Sequence, residues 1–287
     1  MADIGPKMPW PVWLKLHSKA ILQALPVAFL IVVEARDMYY RATWNVLPVP
    51  PSKFQTGDVI VLCNRWYTLP AWSQKLYSLL SKVLLKCAWD DVGFVVMRAN
   101  GEPHLVYCDF SGVHEEPLGS FLNSRRPRGA AVRKLNLGEG TQPPSTDIAN
   151  IFMVEVMKNK PQPWYLFSAS MRNGPEHKYY EFCVSMNKQR CKIRDMTHRS
   201  QSQQAIKNQV ERLHEMEVMR DYLATSVERD TKFHLFNGSL VASFLATYGF
   251  LDRVLPPPSR YVPQDFARDM PFTGTTSLDE PVVFFKT

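Results

Sequence analysis

The sequence predicts an α+β fold in which a small antiparallel sheet packs on helices. Short runs of β-branched residues lie in the first half of the chain, the clearest being DVIVL at residues 58–62 and VGFVVM at residues 92–97. From Thr146 onward, apolar residues recur at helical spacing instead. Hydrophobic residues make up 45% of the chain and charged residues 21%, which is the balance of a globular protein with a buried core.

The other strands follow from the same signals. Residues 104–109 are predicted as the second strand of a hairpin, because Asn100 and Gly101 supply the turn after residues 92–97. Residues 130–135 are predicted as a further strand, and residues 281–285 as a strand in an otherwise loop-like tail.

Helices are predicted where apolar residues lie three and four apart. Residues 72–87 form an amphipathic helix, and another helix begins at Thr146 with its N-cap in the Ser145-Thr146-Asp147 cluster. A long, highly charged helix is predicted at residues 199–230, and an apolar one at residues 235–251.

Composition excludes several classes of protein. The chain has 287 residues with 34 Lys and Arg against 27 Asp and Glu, a net charge of +7. Its five cysteines form no Cys-x-x-Cys pair, and their odd number disfavours a secreted disulfide framework or a zinc ribbon. The histidines show no metal-ligand spacing, and the charge pattern does not indicate nucleic-acid binding. We therefore expect no cofactor, no metal, no nucleic-acid partner and a reducing compartment.

The amino-terminal region, residues 1–50, is predicted as a hydrophobic anchor and linker. Its apolar run, residues 20–33, is shorter than the approximately 20 residues that span a bilayer, and Pro26 is expected to interrupt it. The residues expected to form the anchor are Ala20, Ile21, Leu22, Leu25, Val27, Phe29, Leu30, Ile31, Val32 and Val33. The alternatives are a helix buried against partner proteins and a targeting signal.

The proline-rich stretch at residues 47–51 separates this region from the main domain, residues 51–270. A charged helical insertion is predicted within it at about residues 175–232, and residues 271–287 form the tail.

Five segments resemble the circularly permuted papain-like superfamily of cysteine peptidases and amidases. They are FQTGDVIVL at residues 54–62, the helix SQKLYSLLSKVLL, WDDVGFVVM at residues 89–97, CDFSGV at residues 108–113 and FNGSLVASFLATYGFL at residues 236–251. In that family a Gly-Asp strand opens the domain, a later strand carries the catalytic His, and a helix beginning Phe-Cys carries the nucleophile. The resemblance covers residues 54–266 and implies a permuted papain-like domain.

The chain departs from the family at both catalytic positions. Asn237 stands where the resemblance places the nucleophilic Cys, and Asp91 stands where it places the His. A carboxamide has no nucleophilicity near neutral pH but is a good helix N-cap, and an Asp is a near-neutral base only if its pKa is raised by several units. Ser239 is expected to face away from this position, and Cys108, near the place of the orienting residue, is expected to be a buried core cysteine. The resemblance thus implies a pseudoenzyme.

The predicted function is a catalytically inactive accessory subunit of a larger, membrane-associated complex, with the mitochondrial inner membrane as the specific expectation and the cytoplasm as the alternative. Its expected partners are other protein subunits and membrane lipid. Arg125, Arg126 and Arg128 are predicted as anionic-lipid contacts, with a solvated loop as the alternative.

Two other functions stay open at this point. An active thiol amidase or acyltransferase requires Cys87, Cys108, Cys183 or Cys191 to meet His104 or His234. A lipid- or peptide-binding module requires an apolar pocket beside Asn237.

Overall fold

The computed structural model describes residues 10–138, 140–165, 175–227 and 234–287, and side chains from residue 27 onward. The chain divides into two compact units, residues 1–44 and 45–287.

The first unit contains helix α1 (Trp10–Thr43), which is 34 residues long. This helix runs through Pro26, so the prediction that the proline interrupts it was wrong. A proline removes one N–H donor, and the hydrogen bonds of the turns on either side keep a long helix continuous. Within the described residues, no helix combines the length and the apolar character that crossing a membrane requires.

The second unit confirms the predicted α+β class. Its strands are β1 (Val59–Cys63), β2 (Asp91–Met97), β3 (Pro103–Asp109), β4 (Gly112–Pro117), β5 (Gly129–Arg133), β6 (Leu135–Asn136), β7 (Ser277–Leu278) and β8 (Val282–Lys286). Six of them form one antiparallel sheet in the order β4-β3-β2-β1-β5-β8, and the two short strands β6 and β7 pair separately.

Six α-helices accompany these strands within the described part of the unit. They are α2 (Trp72–Leu84), α3 (Leu118–Arg125), α4 (Thr146–Val156), α5 (Pro175–His198), α6 (Gln203–Ala224) and α7 (Asn237–Thr247). Ser145 caps α4 as predicted, because its side chain accepts a hydrogen bond from the Ile148 N–H.

Apolar side chains cover both faces of the sheet, which explains the continuous apolar runs in its central strands. On one face, Ile60 and Leu62 pack with Val95 and with Phe121 of α3. On the other face, Phe94 of β2 stacks on Phe244 of α7, with ring centroids 3.9 Å apart. Helix α7 is therefore fixed directly over β2.

The charged region is a hairpin of two helices. The helix predicted at residues 199–230 is confirmed over α6, residues 203–224, and α5 precedes it in the region predicted only as a helical insertion. The break falls at Ser200, which has φ +50°, and Ser202 then caps α6 by accepting from the Ala205 N–H. The end of the predicted segment, residues 228–230, lies outside the described residues. Helix α5 is anchored to the domain because the Asn187 side chain donates to the carbonyls of Phe272 and Thr276, whereas α6 has no buried residue.

Candidate functional site

The two positions that the resemblance assigned to nucleophile and base lie in contact. Asp91 is the first residue of β2 and Asn237 is the first residue of α7. The Asn237 Nδ2 donates a hydrogen bond to Asp91 Oδ1 at 2.9 Å, and the Tyr77 hydroxyl lies 3.5 Å from Asn237 Oδ1. Asn237 is 1% exposed and Asp91 is partly exposed, so this polar contact lies at the edge of the buried core.

The start of α7 differs slightly from the prediction. Phe236 occupies the N-cap position, and Asn237, predicted as the cap, begins the helix. The Asn237 side chain still accepts from a free helix-end donor, the Gly238 N–H, at 2.7 Å. The Ser239 Oγ accepts from the Phe236 N–H at 2.7 Å and donates to the His234 carbonyl at 2.6 Å, so this hydroxyl also acts as a cap.

Gly238 allows this helix end to approach a neighbouring segment closely. A Cβ atom at residue 238 would lie 2.3 Å from the Tyr261 carbonyl oxygen, far inside van der Waals contact. The Asn-Gly sequence thus places two features at the start of α7: the side-chain amide of Asn237 and the close approach of Gly238 to the Tyr261 backbone.

The surroundings of Asp91 change its acidity. Burial raises the pKa of the Asp91 carboxyl to about 7, and repulsion from the neighbouring Asp90 carboxylate adds to the rise. Hydrogen bonds from Asn237 and from the Val92 N–H act in the opposite direction without cancelling it. Asp91 therefore has the raised pKa that a near-neutral base requires, whereas the carboxamide of Asn237 is not a nucleophile near neutral pH.

Asp90, beside the pair, is a fully buried carboxyl that joins two segments of the domain. It accepts hydrogen bonds from the Asn64 N–H at 2.7 Å and from the Ser78 hydroxyl of α2. Sequence reasoning did not identify Asp90, Ser78 or Asn64 as part of the site. The consecutive acidic residues in the sequence WDDVG were the one available signal.

A small cavity lies beside the Asn237–Asp91 contact. Its volume is about 40 Å³, and Tyr77, Asp91, Tyr107, Cys108, Phe110 and Asn237 contribute to its lining. Because a water molecule needs roughly 10 to 15 Å³ of such volume, the cavity has room for a few waters. Small-molecule sites usually measure about 300 to 1,000 Å³, so the cavity does not accommodate a lipid chain or a peptide.

The cysteine in this cavity is not an activated thiol. Burial raises the pKa of Cys108 far above its usual range, and the nearby Asp91 and Asp109 carboxylates add to the rise. Burial also raises the pKa of Cys183 and of Cys191. These three thiols are therefore protonated near neutral pH.

The histidines considered for an active thiol enzyme have other partners. His104 Nδ1 lies 3.0 Å from Glu115 Oε1, and His234 Nδ1 lies 2.6 Å from Gln162 Oε1.

Asp109, Ser111 and His114 form a partly exposed cluster at the β3–β4 turn that the sequence did not single out. The Ser111 Oγ lies 2.8 Å and the Asp109 Oδ1 3.0 Å from the same His114 nitrogen, Nε2. A hydrolytic triad needs the acid and the serine on different ring nitrogens. The cluster is therefore a turn network and does not have triad geometry.

The residues predicted to contact lipid occupy different environments. Arg128 is 3% exposed, and Arg125 donates to Asp109 Oδ2 and to the Tyr107 hydroxyl at 3.2 Å each. Arg126 is exposed at the surface.

The predicted anchor residues lie in α1. Val27, Ile31 and Val32 are between 57% and 66% exposed, whereas Val33 is 3% exposed. The predicted anchor residues at positions 20–25 have side chains outside the described part.

In comparisons with known proteins, no protein-family model matches the chain and no curated protein matches it. Within the described residues, no group of three or more His, Cys, Asp or Glu side chains is arranged to hold a metal ion.

Proposed function

We propose that this chain is a catalytically inactive, papain-like pseudoenzyme and an accessory subunit of a larger, membrane-associated assembly, with the mitochondrial inner membrane as its location. The hydrogen bond between Asn237 and Asp91 carries the proposal. It joins the two side chains that stand at the expected catalytic positions, and neither of them can attack a carbonyl carbon as a thiolate does.

The chemistry around the contact supports an inactive site. A helix N-terminus lowers the pKa of a thiol and makes it reactive, but here that position carries a carboxamide hydrogen-bonded on both of its polar atoms. Cys108, the thiol in the cavity, has a raised pKa. The cavity beside Asn237 and Asp91 measures about 40 Å³, which is too small for a lipid or a peptide and so favours a subunit role over a binding role.

Exposed apolar side chains support a role in assembly. Trp72 on α2 is 76% exposed, and Ile151 and Val154 on α4 are 63% and 62% exposed. On α6, Val218 is 62% and Tyr222 is 73% exposed. Aromatic residues are enriched in protein interfaces, and the buried core of an interface is more apolar than the remaining protein surface.

The amino-terminal unit supports membrane association. Val27, Phe29, Ile31 and Val32 of α1 are all at least 40% exposed, although no described helix meets the requirements for crossing a bilayer. A helix of this type can lie at the membrane surface with apolar side chains in the acyl boundary.

Native purification tests the proposal. The tagged full-length chain, extracted in mild detergent, is expected to elute with a fixed set of other proteins at a mass well above its own 33.0 kDa. Mitochondrial inner-membrane fractions are expected to contain it. Elution as a 33.0 kDa monomer, or recovery in the cytoplasmic fraction, would overturn the assembly or the location respectively.

A matched pair of variants makes this test specific. Ile151→Asp, at an exposed apolar position of α4, is expected to reduce the recovery of partner proteins, whereas Glu155→Gln on the same helix leaves it unchanged. Equal recovery with both variants would assign the interface to another surface.

A further inference from the structure

The cleft between the two helices of the charged hairpin has the volume of a small-molecule site. It measures about 680 Å³ and lies between the C-terminal half of α5, the turn at residues 199–202 and the first turns of α6. Small-molecule sites usually measure about 300 to 1,000 Å³. We call this space the hairpin cleft. The charged and amide side chains of its lining that bear on recognition are Lys188, Lys192, Asp195, Arg199, Asn208 and Gln209.

Ion pairs neutralise two charged side chains of the hairpin cleft. Lys188 Nζ lies 2.7 Å from Asp269 Oδ2. The Asp195 carboxylate is paired with its neighbour, because Arg194 Nε lies 3.2 Å from Asp195 Oδ1. Each pair has no net charge, so Asp195 repels an anion in the cleft only weakly and Lys188 attracts it only weakly.

Lys192 and Arg199 give the hairpin cleft its positive charge. Lys192 Nζ donates to Gln209 Oε1 at 3.1 Å, which is a neutral acceptor. Among the described residues, neither Lys192 nor Arg199 forms an ion pair. Two positive charges therefore remain without a carboxylate. A phosphate monoester carries about 1.5 to 2 negative charges at pH 7, which matches them in magnitude.

The amide side chains on α6 present donors to the hairpin cleft. Asn208 Oδ1 accepts from Gln204 Nε2 at 3.0 Å. Gln209 Oε1 accepts from Lys192 and from Gln189 Nε2 at 3.1 Å each, and Gln189 is only 8% exposed. With both amide oxygens occupied, the NH₂ groups of Asn208 and Gln209 remain as donors. Phosphate oxygens accept hydrogen bonds, so this donor set suits a phosphate group.

We propose that the hairpin cleft binds a phosphate monoester, which Lys192 and Arg199 hold by charge-assisted hydrogen bonds and the amides of Asn208 and Gln209 by neutral ones. The same group occurs on soluble phosphorylated metabolites and on the headgroup of phosphatidic acid. This site does not depend on whether the chain is an assembly subunit.

Calorimetric titration of the full-length chain with glycerol 3-phosphate tests the proposal. Saturable binding is expected, and the double variant Lys192→Gln with Arg199→Gln should weaken it by about tenfold or more. The matched control is Lys207→Gln with Arg212→Gln, which removes one Lys and one Arg charge from exposed positions of α6 outside the cleft lining. At physiological ionic strength, where the Debye length is about 8 Å, the control should change the affinity by less than about twofold.

Flotation with lipid vesicles distinguishes the two sources of the phosphate group. The unmodified chain and the Lys192→Gln with Arg199→Gln variant are compared on phosphatidylcholine vesicles that contain either phosphatidic acid or phosphatidylglycerol. A preference for phosphatidic acid that this variant loses assigns the lipid headgroup, because phosphatidylglycerol is a phosphodiester with a single charge. Binding of glycerol 3-phosphate without such a preference assigns a soluble ester.

Two results would overturn the proposal. These are the absence of saturable binding to both probes and equal weakening of binding by the two double variants. If the Lys192→Gln with Arg199→Gln variant fails to fold, NMR of the unmodified chain decides instead. Side-chain NH₂ signals of Asn208 and Gln209 that shift on addition of glycerol 3-phosphate support the site, and signals that stay in place contradict it.

Discussion

Phe94 and Phe244 stack face to face, with ring centroids 3.9 Å apart and ring planes inclined by 13°. Phe94 follows Asp91 by three residues along β2, and Phe244 lies about two helical turns beyond Asn237. Both rings are fully buried. This apolar contact sets the position of α7 over the sheet and so brings Asn237 to Asp91.

Phe244→Ala tests how far the domain depends on this stacking. Truncating a fully buried phenylalanine is expected to lower the free energy of unfolding by about 3–5 kcal/mol, measured by urea denaturation. Tyr222→Ala on α6, where the side chain is 73% exposed, is the control and should change stability by less than about 0.5 kcal/mol. Equal losses from both substitutions would contradict the packing described here.

Gly238→Ala tests the close approach at the start of α7. Its Cβ would lie 2.3 Å from the Tyr261 carbonyl oxygen, so the helix or the neighbouring segment must shift. We expect a destabilisation of about 1–3 kcal/mol in the same denaturation assay. Gly119→Ala in α3, where a Cβ meets no atom within 4 Å, should be neutral or stabilising by up to about 1 kcal/mol.

The double substitution Asn237→Cys with Asp91→His tests the resemblance to papain-like enzymes. If these positions have the geometry of nucleophile and base, the introduced thiol should form an ion pair with the introduced imidazole. Its alkylation by iodoacetamide at pH 6 should then be about tenfold or more faster than in Asn237→Cys alone. Peptide mass spectrometry separates this site from the five natural cysteines. Identical rates in the two variants would count against a catalytic ancestry of the site.

The Asp109 carboxylate should stabilise the domain less as the pH falls, whereas the raised pKa of Asp91 predicts a loss of stability as the pH rises. Burial acts to raise the pKa of Asp109, but hydrogen bonds from Ser111 and His114 outweigh it and hold this pKa below its ordinary value of 3.8. The Asp109 carboxylate thus contributes stability above pH 3.8, which is lost as pH falls through its folded-state pKa.

Because Asp109 is about half-buried, the loss in Asp109→Asn at pH 7 should be on the order of 1 kcal/mol, and it should be smaller at pH 2. Thermal unfolding at both pH values measures it. Glu155→Gln, at an exposed carboxylate of α4, should change little at either pH. A loss that is unchanged at pH 2 would assign the effect to packing instead of charge.

Membrane association of α1 can be measured by flotation of the full-length chain with vesicles of phosphatidylcholine and phosphatidylglycerol. Ile31→Ser combined with Val32→Ser removes two side chains that are 63% and 66% exposed and should strongly reduce flotation. Ala35→Ser, at an exposed position of the same helix, should leave it unchanged. Flotation equal to that of the unmodified chain in both variants would exclude this surface as the lipid contact.

Elements with strong apolar periodicity were predictable from the sequence. The strands near residues 58–62, 92–97, 104–109 and 130–135 and the helix beginning at Thr146 are confirmed to within a few residues. Strand β4 was not predicted because its sequence, GVHEEP, lacks apolar alternation, and it forms by pairing at the sheet edge with β3. Helix α6 was predicted from its charged helical pattern, but α5 was predicted only as part of a helical insertion, and the turn between them depends on the backbone conformation at Ser200.

The candidate site was predictable only in part. Motif order identified Asn237 and Asp91, which are 146 residues apart in sequence and 2.9 Å apart between Nδ2 and Oδ1. It did not identify Asp90 and Ser78, because a buried hydrogen bond between an acid and a serine leaves no distinctive spacing in the sequence.

The sequence by itself determined the α+β class, the central strands and the amide and carboxyl at the two positions that the resemblance assigns to nucleophile and base. These properties are local, since each depends on periodicity or on the chemical identity of one side chain. Only the tertiary structure decided that Asp91 is a carboxyl with a pKa of about 7 and that Asn237 is its hydrogen-bond donor. The acidity of a carboxyl depends on the water it loses and on the charges around it, and the packing of α2, β3, α3 and α7 around β2 determines both.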